Sequence, residues 1–297
     1  MIAAIRSLSD ARTWRFFRDR PVDGATLLFS LILFGYAAHG SYQSSWGMLI
    51  AVVASFTAAL ASTETLRFRA LAAASVLLGL TVWVNYYYSA NHGFMIFWIA
   101  VALTLACACS GAEQEVVLRR NAGLLLGLLM AFALVQKLRS AYYMDGDLLG
   151  GLLASGDMYR NALGLILPDW PVKLVQYHSA AQILLLRPDA GSIDIAVPAF
   201  ALWLAGAMTI GALVAQGGLE IALLFRRRLG WVFHALLLGF VALVYSTRDE
   251  NIFLSMNCLL GYCLVEADTK AARPIYALAI LYLLLAAKIG LRPWIIG

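Results

Sequence analysis

Long, nearly unbroken apolar runs alternate along this chain with short polar breaks, and the runs are too long for the cores of soluble helices. A continuous apolar stretch of about 18 residues or more reads as a membrane helix. Nine such segments are predicted, at Ala25–His39, Trp46–Ser62, Ala70–Tyr88, Gly93–Ser110, Ala122–Tyr142, Ile195–Phe225, Gly230–Tyr245, Ile252–Glu266 and Pro274–Gly290. The sixth is long enough to tilt or kink, with Gly217–Gly218 as the kink site. Membrane β-strands would instead alternate with period two over about ten residues, and no such pattern occurs. The fold class expected is an all-α integral membrane protein: a bundle of about nine transmembrane helices with an outer amphipathic or re-entrant lid segment.

The polar segments divide the chain. Residues 1–23 form an arginine-rich arm, and Ile2, Ile5, Leu8, Trp14, Phe16 and Phe17 mark it as an amphipathic helix lying on the cytoplasmic membrane surface. The first five spans lie within 24–143 and the last four within 195–297. Between them, 144–194 is too long for a simple connection. Leucines at 148, 149, 152 and 153 recur at helical spacing, and the run Trp170–Leu186 starts after Pro168 and ends before Pro188. This segment is expected to lie as a lid over the outer ends of the spans.

Composition agrees with a bilayer setting. The 297 residues are 62% hydrophobic and 13% charged, against roughly 25% charged in soluble domains; mean hydropathy is +0.79. Charge then sets orientation. Most of the 22 Lys and Arg residues fall on one side of the predicted membrane: Arg6, Arg12, Arg15, Arg18 and Arg20, then Arg67, Arg69, Arg119, Arg120, Arg226 to Arg228, Lys270 and Arg273. The connections His39–Trp46 and Tyr88–Gly93 carry none. The positive-inside rule makes this a multi-pass protein of a cell membrane (the inner one in a bacterium), with a cytoplasmic N-terminus and an outside C-terminus. No cleavable signal peptide is expected, because the arginine-rich arm occupies its place. The basic pI of 9.1 follows from that topology and calls for no nucleic-acid partner.

Cys107, Cys109, Cys258 and Cys263 lie in apolar segments without a CxxC spacing and read as small buried thiols, not as a metal or redox centre. No phosphate-binding loop, hydrolase elbow, zinc-protease or dinucleotide motif is present.

Polar residues at membrane depth carry the functional signal, since each is costly there unless paired or hydrated. Lys137 sits late in the fifth segment, within Phe132-Ala133-Leu134-Val135-Gln136-Lys137-Leu138. It is either a desolvated base or a lysine snorkelling to the outer headgroups. His92 follows Asn91 after the run Tyr86–Tyr88; it belongs to a site or to an interfacial aromatic belt. Glu220 and His234, near the opposite membrane face, are expected to pair across a short connection as a packing clamp, with a proton relay as the other reading. Gly123-xxx-Gly127 and Ala207-xxx-Gly211-xxx-Ala215 look like close helix-packing faces.

Three short patches then carry a family resemblance: Asn91-His92-Gly93-Phe94; Val135-Gln136-Lys137-Leu138 with Asp145-Gly146 downstream; and Gly218-Leu219-Glu220 followed by Phe233-His234. On their order and spacing the chain resembles the horizontally transferred transmembrane (HTTM) family, best known for the vitamin K-dependent γ-glutamyl carboxylases. The resemblance implies a quinone site at the outer face. A lysine matching Lys137 deprotonates a reduced naphthoquinone there, assisted by a histidine matching His92, with oxygen chemistry ending in an epoxide. Lys137 and His92 are the catalytic candidates it marks, with Asn91, Tyr88 and Asp145 as substrate-binding candidates and a reduced quinone as cofactor. Two departures stand out. Gln136 replaces the first lysine of the family's Lys-Lys pair, and no large extramembrane domain follows the helices before Gly297. The expectation is a carboxylase- or epoxidase-like membrane domain without peptide handling. The alternative is a non-catalytic accessory or structural subunit, with membrane lipids and other membrane subunits as partners. A transporter is a third reading, without inverted repeats or paired broken helices to favour it.

Overall fold

The computed structural model describes residues 12–38, 46–84, 91–146, 149–150, 153, 199–247 and 250–289. Among them all regular structure is helical. The helices are α1 (Arg12–Asp19), α2 (Pro21–Ala38), α3 (Trp46–Leu60), α4 (Glu64–Val84), α5 (Asn91–Cys107), α6 (Ala112–Arg139), α7 (Ala141–Met144), α8 (Ala199–Leu224), α9 (Arg226–Leu229), α10 (Trp231–Thr247), α11 (Asn251–Cys263) and α12 (Ala272–Ile289), with a 3₁₀ turn at Ala267–Thr269.

Each apolar segment of the sequence contains a helix. Four are long and apolar enough to cross a membrane: Pro21–Ala38, Glu64–Val84, Ala112–Arg139 and Leu202–Leu224. The other apolar helices are shorter. Two of the long ones start well before their apolar segments. Helix α6 begins ten residues ahead of Ala122, because Glu113 and Glu115 in its first turn favour the positive end of the helix dipole, as Lys137 and Arg139 favour the negative end. Gly111, at φ +56°, makes the turn into it. Hydropathy registers only the apolar part of such a helix. Helix α8 runs unbroken through Gly217–Gly218.

Helix α11 is the axis of the bundle. Every residue from Leu254 to Cys263 is buried, and it packs against α2, α5, α6, α10 and α12. Glycines permit the close approaches: a Cβ on Gly24 of α2 would overlap the Tyr262 hydroxyl, and one on Gly261 would lie 2.6 Å from the Tyr276 ring and 2.8 Å from Leu237. Buried hydroxyls on the long helices satisfy themselves on carbonyls one turn back, as in Thr26 to Val22 and Thr209 to Ala205. The outward faces are apolar. Only 17% of the apolar window of α6 is buried, and 28% of that of α8, with Leu124, Phe132, Ile210 and Val214 exposed. Contiguous exposed apolar surface of that extent is not tolerated in water and suits lipid contact.

At the arginine-rich end a polar network ties the amphipathic arm to the bundle. Arg273, 1% exposed, donates to the Arg18 carbonyl of α1 at 2.8 Å and the Val265 carbonyl at 3.2 Å, and pairs with Glu115 of α6. Tyr262 of α11 donates to the Phe17 carbonyl at 2.7 Å. Asp23 and Arg67 join α2 to α4 at 2.5 Å. The part of the arm formed by α1 therefore docks on α2 and α12, with Phe17 buried; residues 1–11 lie outside the described residues, as does most of the lid segment.

Candidate functional site

Lys137 lies in the last turn of α6, and side chains on a helix lean toward its N-terminus. Here that lean carries the amine back along α6. Its Nζ donates to Gln216 Oε1 of α8 at 2.5 Å. Gln216 is 2% exposed, and its Nε2 donates to the Met130 carbonyl of α6 at 3.1 Å. Met130 lies seven residues, roughly 10 Å of helix rise, before Lys137. The amine is thus drawn back along α6 toward Met130, away from the helix end to which a snorkelling lysine would extend.

Tyr143 covers the same amine, with its ring centroid 5.6 Å from Nζ. Ser140 caps α7 by accepting from the Tyr143 N–H, and the Tyr143 carbonyl accepts from Thr209 of α8. Gly146, at φ +80°, brings the chain against Ala205 and Gly206 of α8. Burial pushes the Tyr143 phenol above its usual pKa, so it remains a proton donor at neutral pH.

The other described sequence candidates lie at the start of α5 and the end of α7. Asn91 opens α5. His92 is half-buried, and its ring meets Phe253 of α11 edge to face at 5.9 Å. Glu250 immediately precedes α11. The first turn of α11 thus offers Phe253 to His92. Asp145 ends α7 with an exposed side chain. Tyr88 lies outside the described residues.

Glu220 and His234 do not pair. His234 Nδ1 bonds the Tyr276 hydroxyl at 3.1 Å and Nε2 bonds the Thr269 hydroxyl at 3.3 Å. With both ring nitrogens engaged by α12 and the 3₁₀ turn, the histidine has no donor left for the carboxylate. Glu220 turns to α6 instead, where its Oε1 lies 3.6 Å from the point a Cβ on Gly127 would occupy. Its Oε2 is buried without a hydrogen-bond partner. The Gly123-xxx-Gly127 stripe faces this carboxylate and Arg226 as well as Leu223 and Leu264. Gly211, in the second small-residue stripe, meets nothing within 4 Å, so that stripe is no packing face among the described residues.

Sequence reading missed Gln216 and Tyr143. Gln216 carries a usable signal, an amide inside the otherwise apolar Ala199–Leu224 helix. Tyr143 does not, because a tyrosine after a membrane helix reads as part of an aromatic belt. The four cysteines are free, and no group of three His, Cys, Asp or Glu suited to a metal occurs among the described residues. In chemical terms, the site offers a positioned amine and a phenol beside two largely lipid-exposed helices. Compared with known proteins, the chain matches no family model, no curated sequence and no solved structure.

Proposed function

We propose that Lys137, Gln216 and Tyr143 form a membrane-embedded site for the polar head of a reduced quinone, with Lys137 as the base and His92 at its flank. The chain is then an HTTM-like membrane protein whose arginine-rich end faces the cytoplasm and whose Lys137 end faces out. The observation that carries the reading is the inward course of Lys137 onto Gln216, since a lysine placed only for solubility extends to the headgroups.

The residues suit such a ligand. A hydroquinone offers hydroxyl oxygens on an apolar ring. Lys137 and Tyr143 supply one acceptor–donor site and one donor, and the exposed flanks of α6 and α8 let a lipid-soluble molecule approach from the bilayer. When bound, the quinol supplies an acidic hydroxyl and an oxidisable ring. Lys137, in its amine form, takes the hydroxyl proton. Gln216 fixes the amine's direction, and Tyr143 donates to the oxygen left behind.

The pair Lys137→Arg and Lys137→Met tests the assignment. Guanidinium stays protonated at physiological pH, so arginine should abolish quinol turnover by the purified protein in nanodiscs while leaving folding intact. Full turnover in Lys137→Arg removes the base role. The low burial of the α6 and α8 apolar faces favours a second reading, an accessory subunit packed against other membrane proteins. Native mass spectrometry of gently solubilised protein separates the two, by revealing co-purifying quinone or stoichiometric subunits.

A further inference from the structure

The polar groups on the α6–α8 seam do not stop at Lys137. On α8, Thr209, Gln216 and Glu220 share one face, being seven and four residues apart. On α6, Gly123, Gly127, Met130, Leu134 and Lys137 repeat at the same helical spacing and form the opposing face. A Cβ on Gly127 would lie 3.5 Å from Leu223 and 3.6 Å from the Glu220 carboxylate, and one on Gly123 would lie 3.6 Å from Arg226. Read from one end of the seam to the other, the order is Tyr143, Lys137 with Gln216, Glu220, then Arg226. Leucines fill the positions between. Glu220 is half-buried, and one of its carboxylate oxygens is buried without a hydrogen-bond partner inside an apolar helix, where such groups mark function.

We propose that Glu220 is a proton-accepting site, linked to Lys137 along the α6–α8 seam and exchanging with solvent at the arginine-rich end. The inference rests on the quinol reading of Lys137, because a base that takes a proton must release it before it acts again. The step balances without a further reactant: the Lys137 ammonium gives one proton to the Glu220 carboxylate, leaving an amine and a carboxylic acid. The acid then releases the proton past Arg226. Gln216 and Glu220 are about 6 Å apart along the helix axis. A single water between the Glu220 carboxylate and the Lys137–Gln216 pair would complete the link. A Cβ on Gly127 would just touch the carboxylate, so a branched side chain there would crowd it.

The charged and titratable groups on elements packed against α8 are consistent with this path. Helix α6 contributes Lys137 and, near its other end, Arg119, which pairs with Glu115 at 2.8 Å. Helix α9 contributes Arg226, Arg227 and Arg228; Arg226 donates to the Leu223 carbonyl, and Arg227 lies 3.6 Å from Glu266. His234 of α10 is held by Tyr276 and Thr269, and Tyr143 of α7 faces Lys137. None of the ion pairs and hydrogen bonds found among the described residues joins these groups to Glu220.

Infrared difference spectroscopy of the full chain in nanodiscs, across a pH titration, tests the proposal without any quinone. A protonated-carboxyl band should titrate in the wild type, vanish in Glu220→Gln and move in frequency in Gly127→Val. Its midpoint should shift in Gln216→Leu, which cuts the link to Lys137. Glu220→Asp, with an acid one methylene shorter, should keep a displaced band and serves if Glu220→Gln does not fold. A wild type without the band, or a band unchanged in Glu220→Gln, overturns the site; a Gln216→Leu midpoint equal to wild type overturns the link. Failure of the quinol reading would instead appear as turnover retained in Lys137→Arg, with the band intact.

Discussion

Replacing Arg273 with Met should destabilise the whole bundle, because one side chain holds three elements together at the arginine-rich end. Arg273 joins α1 through the Arg18 carbonyl, α6 through Glu115, and the end of α11 through the Val265 carbonyl. Methionine fills much of the volume but satisfies none of these acceptors. Breaking a buried pair from one side costs roughly 3–5 kcal/mol. Glu115 keeps Arg119 at 2.8 Å, so its charge is not abandoned, and the lower figure applies. Each orphaned carbonyl adds up to about 1–3 kcal/mol if water does not reach it. A loss of about 3 kcal/mol corresponds to a fall of roughly 6–12 °C in Tm for a large domain. Arg273→Lys should lie between, since a point ammonium cannot span the positions the guanidinium fork reaches. The buried thiols report unfolding directly: Cys107, Cys258 and Cys263 are at most 5% exposed, so a thiol-reactive dye reads their release on heating in mild detergent, in a Cys109→Ser background. Trypsin should also cut after Arg15 or Arg18 faster in the Met variant, as α1 loses its anchor. A Tm within about 2 °C of wild type, with α1 still protected, would refute the view that this guanidinium clamps the arm to the bundle.

Gln216→Leu removes both the acceptor for Lys137 and the donor to Met130. With a hydrogen bond between neutral groups worth about 0.5–1.5 kcal/mol, quinol affinity in nanodiscs should weaken roughly twofold to tenfold, and unchanged affinity would show that Gln216 does not position the amine. Gly261→Ala places a methyl into the Tyr276 ring and Leu237, at 2.6 and 2.8 Å. The overpacking should cost about 1–3 kcal/mol, read as a lowered midpoint in the same dye assay, and a neutral result would mean that α11 and α12 are packed more loosely than described. A cysteine introduced at Thr63, in the exposed turn between α3 and α4, should react with an impermeant thiol reagent only from the cytoplasmic side, and those at Ser44, Ser89 and Ser179 only from outside. Labelling of Thr63→Cys from outside would reverse the proposed orientation.

The helices themselves were legible in the chain, because apolar length and the period of a helix are local properties that neighbours along the sequence report. That is why each apolar segment contains one, and why errors gather at ends such as that of α6, where a helix continues into charged residues that hydropathy ignores. Lys137 stood out for the same reason: one cation among leucines and valines violates a local rule. The partners of these residues were not legible. Gln216 lies 79 residues from Lys137, and Arg18 lies 255 from Arg273. Glu220 and His234 come close in sequence through a short connection, which suggested a pair, yet the histidine bonds Tyr276 and Thr269 and the carboxylate turns to α6. Which face of α8 meets which face of α6 depends on how all the helices pack at once around α11. A buried polar group bonds whatever that packing places within about 3 Å, and no pattern along a single helix encodes it.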